Sequence, residues 1–365
     1  PEPYTPTSSQ QFPPCLNGWK MIIHTRTPAR AGLIGNPSDG FFGVTIALTF
    51  DAFWAEVELW ESPELEIRQA PRDAVLYESI DDLADSVERY GYYGGIRLIK
   101  AVIKGFADYC REQEIALAQK NCTIRYRSDI PIRVGLAGSS AIITSTLKAL
   151  MRFYNVSAPL PIAANLVLHA ETKELKIPAG LQDRVVQNYT GVVFMDFARK
   201  WMERGFGEYE RLDPDRLPPL FIAYHDSAAE GTEVSHNDLR SRYERGEQLV
   251  LDTLQEIADC ARRFREAMES DDPDRVDRMC ELMNLNFDLR GRITNISSLN
   301  RRLIQAARDT GAAAKFCGSG GAIIGVCRDD ATFDRLQAAY SSFGASVLRP
   351  RIVRLNGISD RADSP

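Results

Sequence analysis

Histidine and cysteine are scarce in this sequence of 365 residues, which contains four histidines and seven cysteines. No two cysteines form a Cys-x-x-Cys pair, and no His-Glu-x-x-His sequence occurs. A disulfide framework or a structural zinc site would show regular spacing of these residues, so neither is expected. The Gly-x-Ser-x-Gly elbow is also missing, which argues against a serine hydrolase of that type.

Long apolar runs and an excess of positive charge are missing too. No apolar stretch approaches the ~20 residues of a membrane-spanning helix, and no signal-peptide pattern is present. The 44 lysines and arginines are outnumbered by 50 aspartates and glutamates, whereas non-specific nucleic-acid binding depends on a basic surface. We therefore expect a cytoplasmic protein without nucleic-acid or membrane partners.

The composition that remains, 44% hydrophobic and 26% charged residues, is typical of a folded globular chain. Mixed helical and strand patterns predict an α+β protein of two domains. We expect a poorly ordered arm at 1–19, an N-terminal domain at 20–215 and a C-terminal domain at 216–365, divided near a proline-rich break. Strands are predicted at 20–34, 122–127, 191–197 and 220–225, a hairpin at 44–60, helices at 96–110, 139–153, 160–175 and within 236–310, and a final strand–helix–strand at 312–355.

The segment from Pro131 to Ala141, PIRVGLAGSSA, lies between a predicted strand and a strong helix. Gly135 and Gly138 allow backbone shapes closed to other residues. The free N–H groups at the start of the helix would point into the loop, which is a favourable place for phosphate. A tight turn with Ser139 as a simple N-cap is the alternative interpretation.

A second glycine-rich segment runs from Lys315 to Gly325, KFCGSGGAIIG, between two predicted strands. A hairpin needs only one or two glycines. The four small residues from Gly318 to Gly321 therefore suggest close approach of a large group such as a phosphate tail, with a plain turn as the alternative.

Two carboxylates in the segment from His169 to Arg184, HAETKELKIPAGLQDR, are candidates for chemistry. Glu171 lies in a segment predicted to be helical. Asp183 follows a Pro-x-Gly turn and leads into a short helix. The turn could aim both carboxylates at one cavity, where one holds Mg²⁺ and the other faces a substrate hydroxyl. The alternating charges around Glu171 also fit a solvated helix surface.

In this order the segments resemble the motifs of the GHMP small-molecule kinases, which include galactokinase, homoserine kinase and mevalonate kinase. The first motif is represented by PARAGLIGNPSD at 28–39, the second by the whole of 131–141 and the third by 315–321. The resemblance extends from about residue 20 to about residue 355. It implies an N-terminal domain like domain 2 of ribosomal protein S5, a C-terminal ferredoxin-like domain, and ATP in the cleft between them.

The resemblance also implies roles for individual residues. Asp183 would be the base that accepts the hydroxyl proton, and Arg30 would keep it ionised. Ser140 and Glu171 would hold Mg²⁺. The nucleotide would be bound by Pro131, Gly135, Leu136, Ala137, Gly138, Ser139, Ser140 and Ala141. The substrate would be bound by Arg30, Asn36, Ser38, Asp39, Tyr93, Asp183, Gly318, Ser319, Gly320 and Gly321.

The strings GNPSD at 35–39 and AGLQDRV at 179–185 are similar to those of the family members that phosphorylate D-glucuronate. The first departs from the Gly-Glu-His-x-x-Asp of galactokinase. The expected reaction is transfer of the γ-phosphoryl group of ATP to the anomeric hydroxyl of glucuronate. Alternatives are a kinase for a heptose phosphate, fucose, arabinose or galacturonate, and a non-catalytic sensor.

A uronic acid needs a cationic partner for its carboxylate, and arginine suits this because its planar fork binds both oxygens. The sequence does not choose among the candidates, which are Arg30, Arg97, Arg133, Arg184 and Arg290.

Overall fold

The structure is a computed structural model, and it describes residues 22–70, 79–80, 94–228 and 232–354, with side chains described throughout except at 232–237. The predicted arm at 1–19 and the candidate Tyr93 lie outside the described residues.

The first sheet is built on two long strands rich in aliphatic residues. Its described strands are β1 (Ile23–Ile34), β2 (Val44–Ser62), β3 (Glu66–Arg68), β4 (Asn121–Ser128), β5 (Val192–Asp196) and β6 (Glu208–Leu212). They lie in the order β3-β4-β2-β5-β6, and β1 pairs with β2 from outside this path. The pairing is antiparallel except between β3 and β4.

The predicted hairpin at 44–60 is wrong, because β2 is one continuous strand. Its first part pairs with β5 and its second part with β4, while β1 follows it along most of its length. Residues 44–60 contain no glycine, proline or asparagine to make a tight turn. The alternation of apolar and polar residues does not by itself separate one long strand from two short ones.

Five helices of the described chain accompany this sheet: α1 (Gly95–Glu112), α2 (Gly138–Tyr154), α3 (Leu160–His169), α4 (Gln182–Tyr189) and α5 (Arg199–Met202). The helix predictions at 96–110 and 139–153 are confirmed. The helix predicted at 160–175 is α-helical only to His169 and continues as a π-helical turn, Ala170–Glu174. A wider turn of this kind is often found at functional sites.

The second sheet has the described strands β7 (Leu220–Tyr224), β8 (Ala313–Phe316), β9 (Ala322–Val326) and β10 (Ser346–Leu348), in the order β10-β7-β9-β8. Its helices are α6 (Thr232–Glu244), α7 (Gln248–Glu269), α8 (Arg275–Ile293), α9 (Ser298–Asp309) and α10 (Asp330–Ser341). The strand predicted to reach residue 355 ends at Leu348. Pro350 lacks the N–H that a continuing ladder needs.

One hydrophobic cluster extends through both sheets and contains Leu48 and Phe50 of the first and Ile222 and Ile324 of the second. The α+β prediction is confirmed by this mixed architecture. No helix within the described ranges is long and apolar enough to cross a membrane.

Candidate active site

A cavity of about 1310 Å³ is lined by residues from all three candidate segments and by residues near both sheets. The predicted site residues on its wall are Arg30, Asn36, Asp39, Pro131, Gly135, Leu136, Ala137, Gly138, Ser139, Ser140, Glu171, Asp183, Gly318 and Ser319. Segments far apart in the sequence therefore meet at one place, as a shared site requires.

The loop before α2 presents the start of that helix to the cavity. Gly135 has φ +76° and Ala137 has φ +64°, so the backbone turns sharply twice before α2 begins at Gly138. Seven of the eight predicted nucleotide-binding residues line the cavity. The exception is Ala141, which is fully buried within α2 and supports the loop from behind.

The second glycine-rich loop packs directly against the first. A Cβ placed on Gly318 would lie 2.7 Å from the carbonyl oxygen of Gly135, and one on Gly135 would lie 2.8 Å from that of Gly320. Side chains at these positions would push the loops apart. Gly320 and Gly321 do not line the cavity. They turn against Asn300 and Val134, so their contribution is to the shape of the loop.

Arg30 on β1 joins the two loops to the candidate base. Its Nε donates a 2.6 Å hydrogen bond to Oδ1 of Asp183, and its Nη1 donates to the carbonyl oxygens of Gly135 at 2.5 Å and Cys317 at 3.2 Å. The side chain is almost fully buried. One guanidinium therefore fixes the position of Asp183 relative to both loops.

Asp183 lies in the first turn of α4, and its carboxylate also forms an ion pair with Arg184 at 3.2 Å. Burial by itself would raise the pKa of the Asp183 carboxyl, but Arg30 and Arg184 outweigh burial and hold the pKa below its ordinary value. Asp183 is therefore ionised at neutral pH and can accept a hydrogen bond from a hydroxyl group.

Glu171 lies in the π-helical turn and is nearly inaccessible to solvent. Arg184 bonds to its Oε2 through both Nε and Nη2, the former at 2.7 Å. Burial raises the pKa of the Glu171 carboxyl, and Arg184 opposes that effect. The alternative of a solvated surface position does not hold for Glu171, because this residue of the π turn is buried in the cavity wall, while Glu174 pairs with Lys104 at the surface.

Ser140 and Glu171 supply a hydroxyl and a carboxylate oxygen to the same cavity. The Ser140 hydroxyl donates to Oε1 of Gln187 at 2.6 Å. No group of three or more histidine, cysteine or acidic residues suited to a metal occurs within the described ranges. A single carboxylate with a hydroxyl does fit Mg²⁺ that is held largely by nucleotide phosphates, since Mg²⁺ prefers hard oxygen donors.

Some of the residues predicted to bind substrate line the cavity, and others lie behind its wall. The Asn36 amide donates to the carbonyl oxygens of Phe316 and Gly318 at 3.3 and 3.4 Å, and it lines the cavity. Ser38 is fully buried, donates to the carbonyl of Val44, and is not part of the cavity wall. Its position stabilises the turn at 38–43, and a direct contact with substrate does not fit this geometry.

Asp39 faces the cavity close to Asp183. Its Oδ2 lies 2.3 Å from where a Cβ on Gly180 would stand, so only glycine at 180 leaves room for this carboxylate. Burial, with the neighbouring charge of Asp183, raises the pKa of Asp39 to about 6. Asp39 therefore gains a proton much more easily than Asp183.

Three residues that sequence reasoning did not single out contribute to the site. Gln187 accepts a hydrogen bond from Ser140 and donates to the carbonyls of Pro28 and Ala137. Its spacing of four residues from Asp183 places both on one face of a helix, and this spacing could have identified it from the sequence. Lys315 is buried, donates to the carbonyls of Gly32 and Phe316, and burial lowers its pKa well below the ordinary value. Arg240 lines the cavity from α6, without any motif around it.

Comparison with known proteins gives consistent matches. Residues 97–191 match the model of the GHMP kinases N terminal domain, and residues 264–346 match that of the GHMP kinases C terminal domain. The chain is 42% identical over 312 residues to glucuronokinase 1 of Arabidopsis thaliana, covering 84% of this chain and 85% of that protein. Probable glucuronokinase 2 of the same plant is 42% identical over 314 residues, 84% of each chain.

Similarity to solved structures supports the fold. Galactokinase from Lactococcus lactis, crystallised with galactose, superposes with a TM-score of 0.68 over 91% of this chain and 93% of its own, at 16% sequence identity. At that identity the likeness concerns the arrangement of helices and sheets.

Proposed function

Because the chain belongs to the GHMP kinase family, we propose that it is a sugar-1-kinase that converts D-glucuronate and ATP to D-glucuronate 1-phosphate and ADP. The 42% identity to the two plant proteins named as glucuronokinases extends over most of both chains and supports glucuronate as the acceptor.

The observation that carries the proposal is the set of contacts made by Arg30. Its guanidinium bonds to Asp183 and to carbonyl groups of both glycine-rich loops. A hydroxyl beside Asp183 would therefore lie next to the loops that are suited to phosphate. This is the arrangement that transfer between a bound nucleotide and an alcohol requires.

In the proposed reaction, the anomeric oxygen of the sugar attacks the γ-phosphorus as the bond between that phosphorus and the β,γ-bridging oxygen breaks. Asp183 accepts the hydroxyl proton, and ADP leaves with the bond electrons. Such transfer needs mainly alignment and stabilisation of charge. The backbone N–H groups at the start of α2, near Ser139 and Ser140, would supply part of that stabilisation.

Ser140 and Glu171 are the residues that would hold Mg²⁺ in the nucleotide complex. The ion would offset charge on the β- and γ-phosphate oxygens. Within the protein, Gln187 orients the Ser140 hydroxyl and Arg184 orients the Glu171 carboxylate. These two contacts keep both oxygen donors near the phosphate-binding loop.

A coupled assay of ADP release with a panel of acceptors tests the proposal. The panel contains glucuronate, galacturonate, glucose, fucose, arabinose and heptose phosphates. We expect the highest kcat/KM with glucuronate, and phosphorus NMR of the product should show a phosphate on the anomeric carbon. Preference for a neutral sugar or a sugar phosphate would contradict the proposal, as would ATP binding without ADP release on any acceptor.

A further inference from the structure

The cavity wall contains several cationic side chains, and most of them interact with other groups of the protein. Arg30 bonds to Asp183 and two carbonyls, and Arg184 bonds to Glu171 and the carbonyl of Gly180. Arg290 donates to the carbonyls of Gly318 and Ser319, at 2.6 and 2.9 Å. Arg133 also interacts with the protein. These four arginines therefore already have partners within the protein.

Three other cations of the wall have no carboxylate partner within the described ranges: Arg97, Lys176 and Arg240. A cation that lines a cavity without an anionic partner is a candidate for binding an anionic ligand. The two expected ligands both carry negative charge, one on the triphosphate and the other on the C6 carboxylate of a uronic acid. The surroundings of each cation indicate which ligand it would meet.

Arg97 lies in the first turn of α1, on the nucleotide side. The neighbouring Gly95 packs against the ring of Tyr126, so tightly that a Cβ would lie 2.3 Å from the ring. Tyr126 stands near the end of β4, the strand that leads into the loop at 131–141. Lys176 is exposed, just after the π-helical turn, and has the left-handed φ of +58°.

Arg240 lies on the acceptor side. Its Nη2 donates a 2.9 Å hydrogen bond to the carbonyl oxygen of Gly40, the residue that follows Asp39. Its guanidinium carbon stands 5.1 Å from the centre of the Phe41 ring. The backbone bond and the ring hold the guanidinium against the segment that follows Asp39, and its remaining nitrogens have no carboxylate partner in the described part of the chain.

The acceptor side is otherwise unfavourable for a carboxylate. Asp183 is ionised, and Asp39 is a second carboxyl close to it. A sugar with its own negative charge would be repelled there unless a cation were present, since burying an unpaired anion is costly. The planar donors of arginine match the two oxygens of a carboxylate better than the ammonium of lysine does.

We propose that Arg240 binds the C6 carboxylate of the acceptor and thereby selects a uronic acid over the corresponding neutral sugar. This inference rests on the proposed sugar kinase function and names the residue that determines its specificity. It also assigns Arg97 to the nucleotide, so the two arginines of the wall that have no carboxylate partner within the described ranges would recognise different substrates.

The test compares Arg240→Ala, Arg240→Lys, Arg97→Ala and Lys176→Ala by steady-state kinetics with glucuronate, glucose and ATP as varied substrates. We expect Arg240→Ala to raise KM for glucuronate by about 10- to 100-fold, as loss of a charged hydrogen bond does. KM for ATP and kcat/KM for glucose should change less than about threefold, well below one factor of ten. Arg240→Lys should recover part of the loss because it keeps the charge. Arg245→Ala is the matched control, since Arg245 is exposed just beyond the same helix and is not in the cavity wall.

Each contrary result has a distinct meaning. Equal increases of KM for glucuronate and ATP in Arg240→Ala would overturn the assignment, because they indicate general damage to the site. A selective loss of glucuronate in Lys176→Ala or Arg97→Ala would move the role to that residue. If wild-type enzyme uses glucuronate and Arg240→Ala does so equally well, Arg240 is wrong and the proposed function stands. If wild-type enzyme uses only neutral sugars, both fail.

Discussion

At the scale of single residues, the site is organised by two arginines that each contact a carboxylate. Arg30 contacts Asp183, and Arg184 contacts both Glu171 and Asp183. The pKa values of three neighbouring carboxyls differ as a result. The pKa of Asp183 lies below its ordinary value, so it stays ionised, whereas the pKa values of Asp39 and Glu171 are raised. Different environments thus give similar side chains different roles.

Replacing Asp183 with asparagine removes the proposed proton acceptor while keeping nearly the same volume. We expect kcat to fall by about 10²- to 10⁴-fold, the usual range for loss of a general base. The affinity for ATP, measured by calorimetry, should stay close to that of the wild type. Asp271→Asn is the control, as Asp271 is exposed and pairs with Arg216. Turnover close to that of the wild type would refute the base assignment.

The pKa of Asp39, about 6 against an ordinary 3.8, predicts a pH-dependent stability. The folded state holds the proton more tightly than the unfolded state, so this contribution is complete below pH 3.8 and is lost as pH rises through about 6. Asp39→Asn abolishes the effect. In urea unfolding of ligand-free protein, the unfolding free energy of the variant relative to that of the wild type should increase by up to about 3 kcal/mol between pH 4 and 7.

A difference in unfolding free energy between wild type and Asp39→Asn that is constant across this pH range would contradict that prediction. The asparagine variant should also lose activity, because Asp39 lines the cavity on the side where we propose that the acceptor binds. Gain in stability with loss of activity is the expected signature of a functional group held in an unfavourable environment.

At the scale of helices, strands and loops, the sequence predicts regular elements well and their exact ends less well. The apolar stripes of α1 and α2 were sufficient to locate both helices, and the small-residue runs located both loops. The continuity of β2 and the early end of β10 were not predicted, because alternation of apolar and polar residues does not reveal whether a strand continues or where its pairing ends. The π turn that redirects Glu171 has no pattern of its own in the sequence.

The site shows the same division. The motif resemblance brought Arg30, Asp183 and the two loops together correctly on one cavity. It carried Ser38 along with its motif, although packing assigns that hydroxyl to a turn. Arg240 was missed because it stands on a helix without a motif, and only folding brings it beside Gly40.

The contact between the two glycine-rich loops predicts opposite effects for one type of substitution. Gly135→Ala should lower stability by about 1–3 kcal/mol, because Gly135 has φ +76° and a Cβ would meet the carbonyl oxygen of Gly320. It should also reduce kcat/KM, since the loops would separate. Gly105→Ala, inside α1 with no atom within 4 Å of a new Cβ, should stabilise by up to about 1 kcal/mol.

Chemical unfolding and steady-state kinetics of the two variants give the comparison. A Gly135→Ala protein with wild-type stability and turnover would show that the loops tolerate separation. In that case their contact would not be needed for the proposed reaction.

At the scale of the whole molecule, the end of β1 connects the two sheets. Gly32 donates to the carbonyl of Cys317, and Lys315 donates to the carbonyl of Gly32. Asn286 on α8 accepts from the Gly35 N–H at 2.7 Å and donates to the carbonyl of Asn36. The cavity lies against this connection, so its walls from the first sheet and from both glycine-rich loops are held to one framework.

Asn286→Ala should therefore weaken the connection between the sheets. Asn286 is fully buried, and the change leaves the Gly35 N–H and the Asn36 carbonyl without their partner. We expect a loss of about 2–4 kcal/mol of unfolding free energy, as two unsatisfied buried groups imply. Asn121→Ala, which removes one exposed hydrogen bond to the Pro63 carbonyl, should cost less than about 1 kcal/mol. Equal stability of the two variants would contradict the proposed role of Asn286.

Arg30 is bonded to both loops through the protein's own groups, the carbonyl oxygens of Gly135 and Cys317. We therefore expect the conformational entropy of these backbone segments to be lost when the chain folds, and not again in each catalytic cycle. A nucleotide would therefore meet backbone amide groups that are already in position. Its affinity should depend only weakly on how far heating disorders the loops.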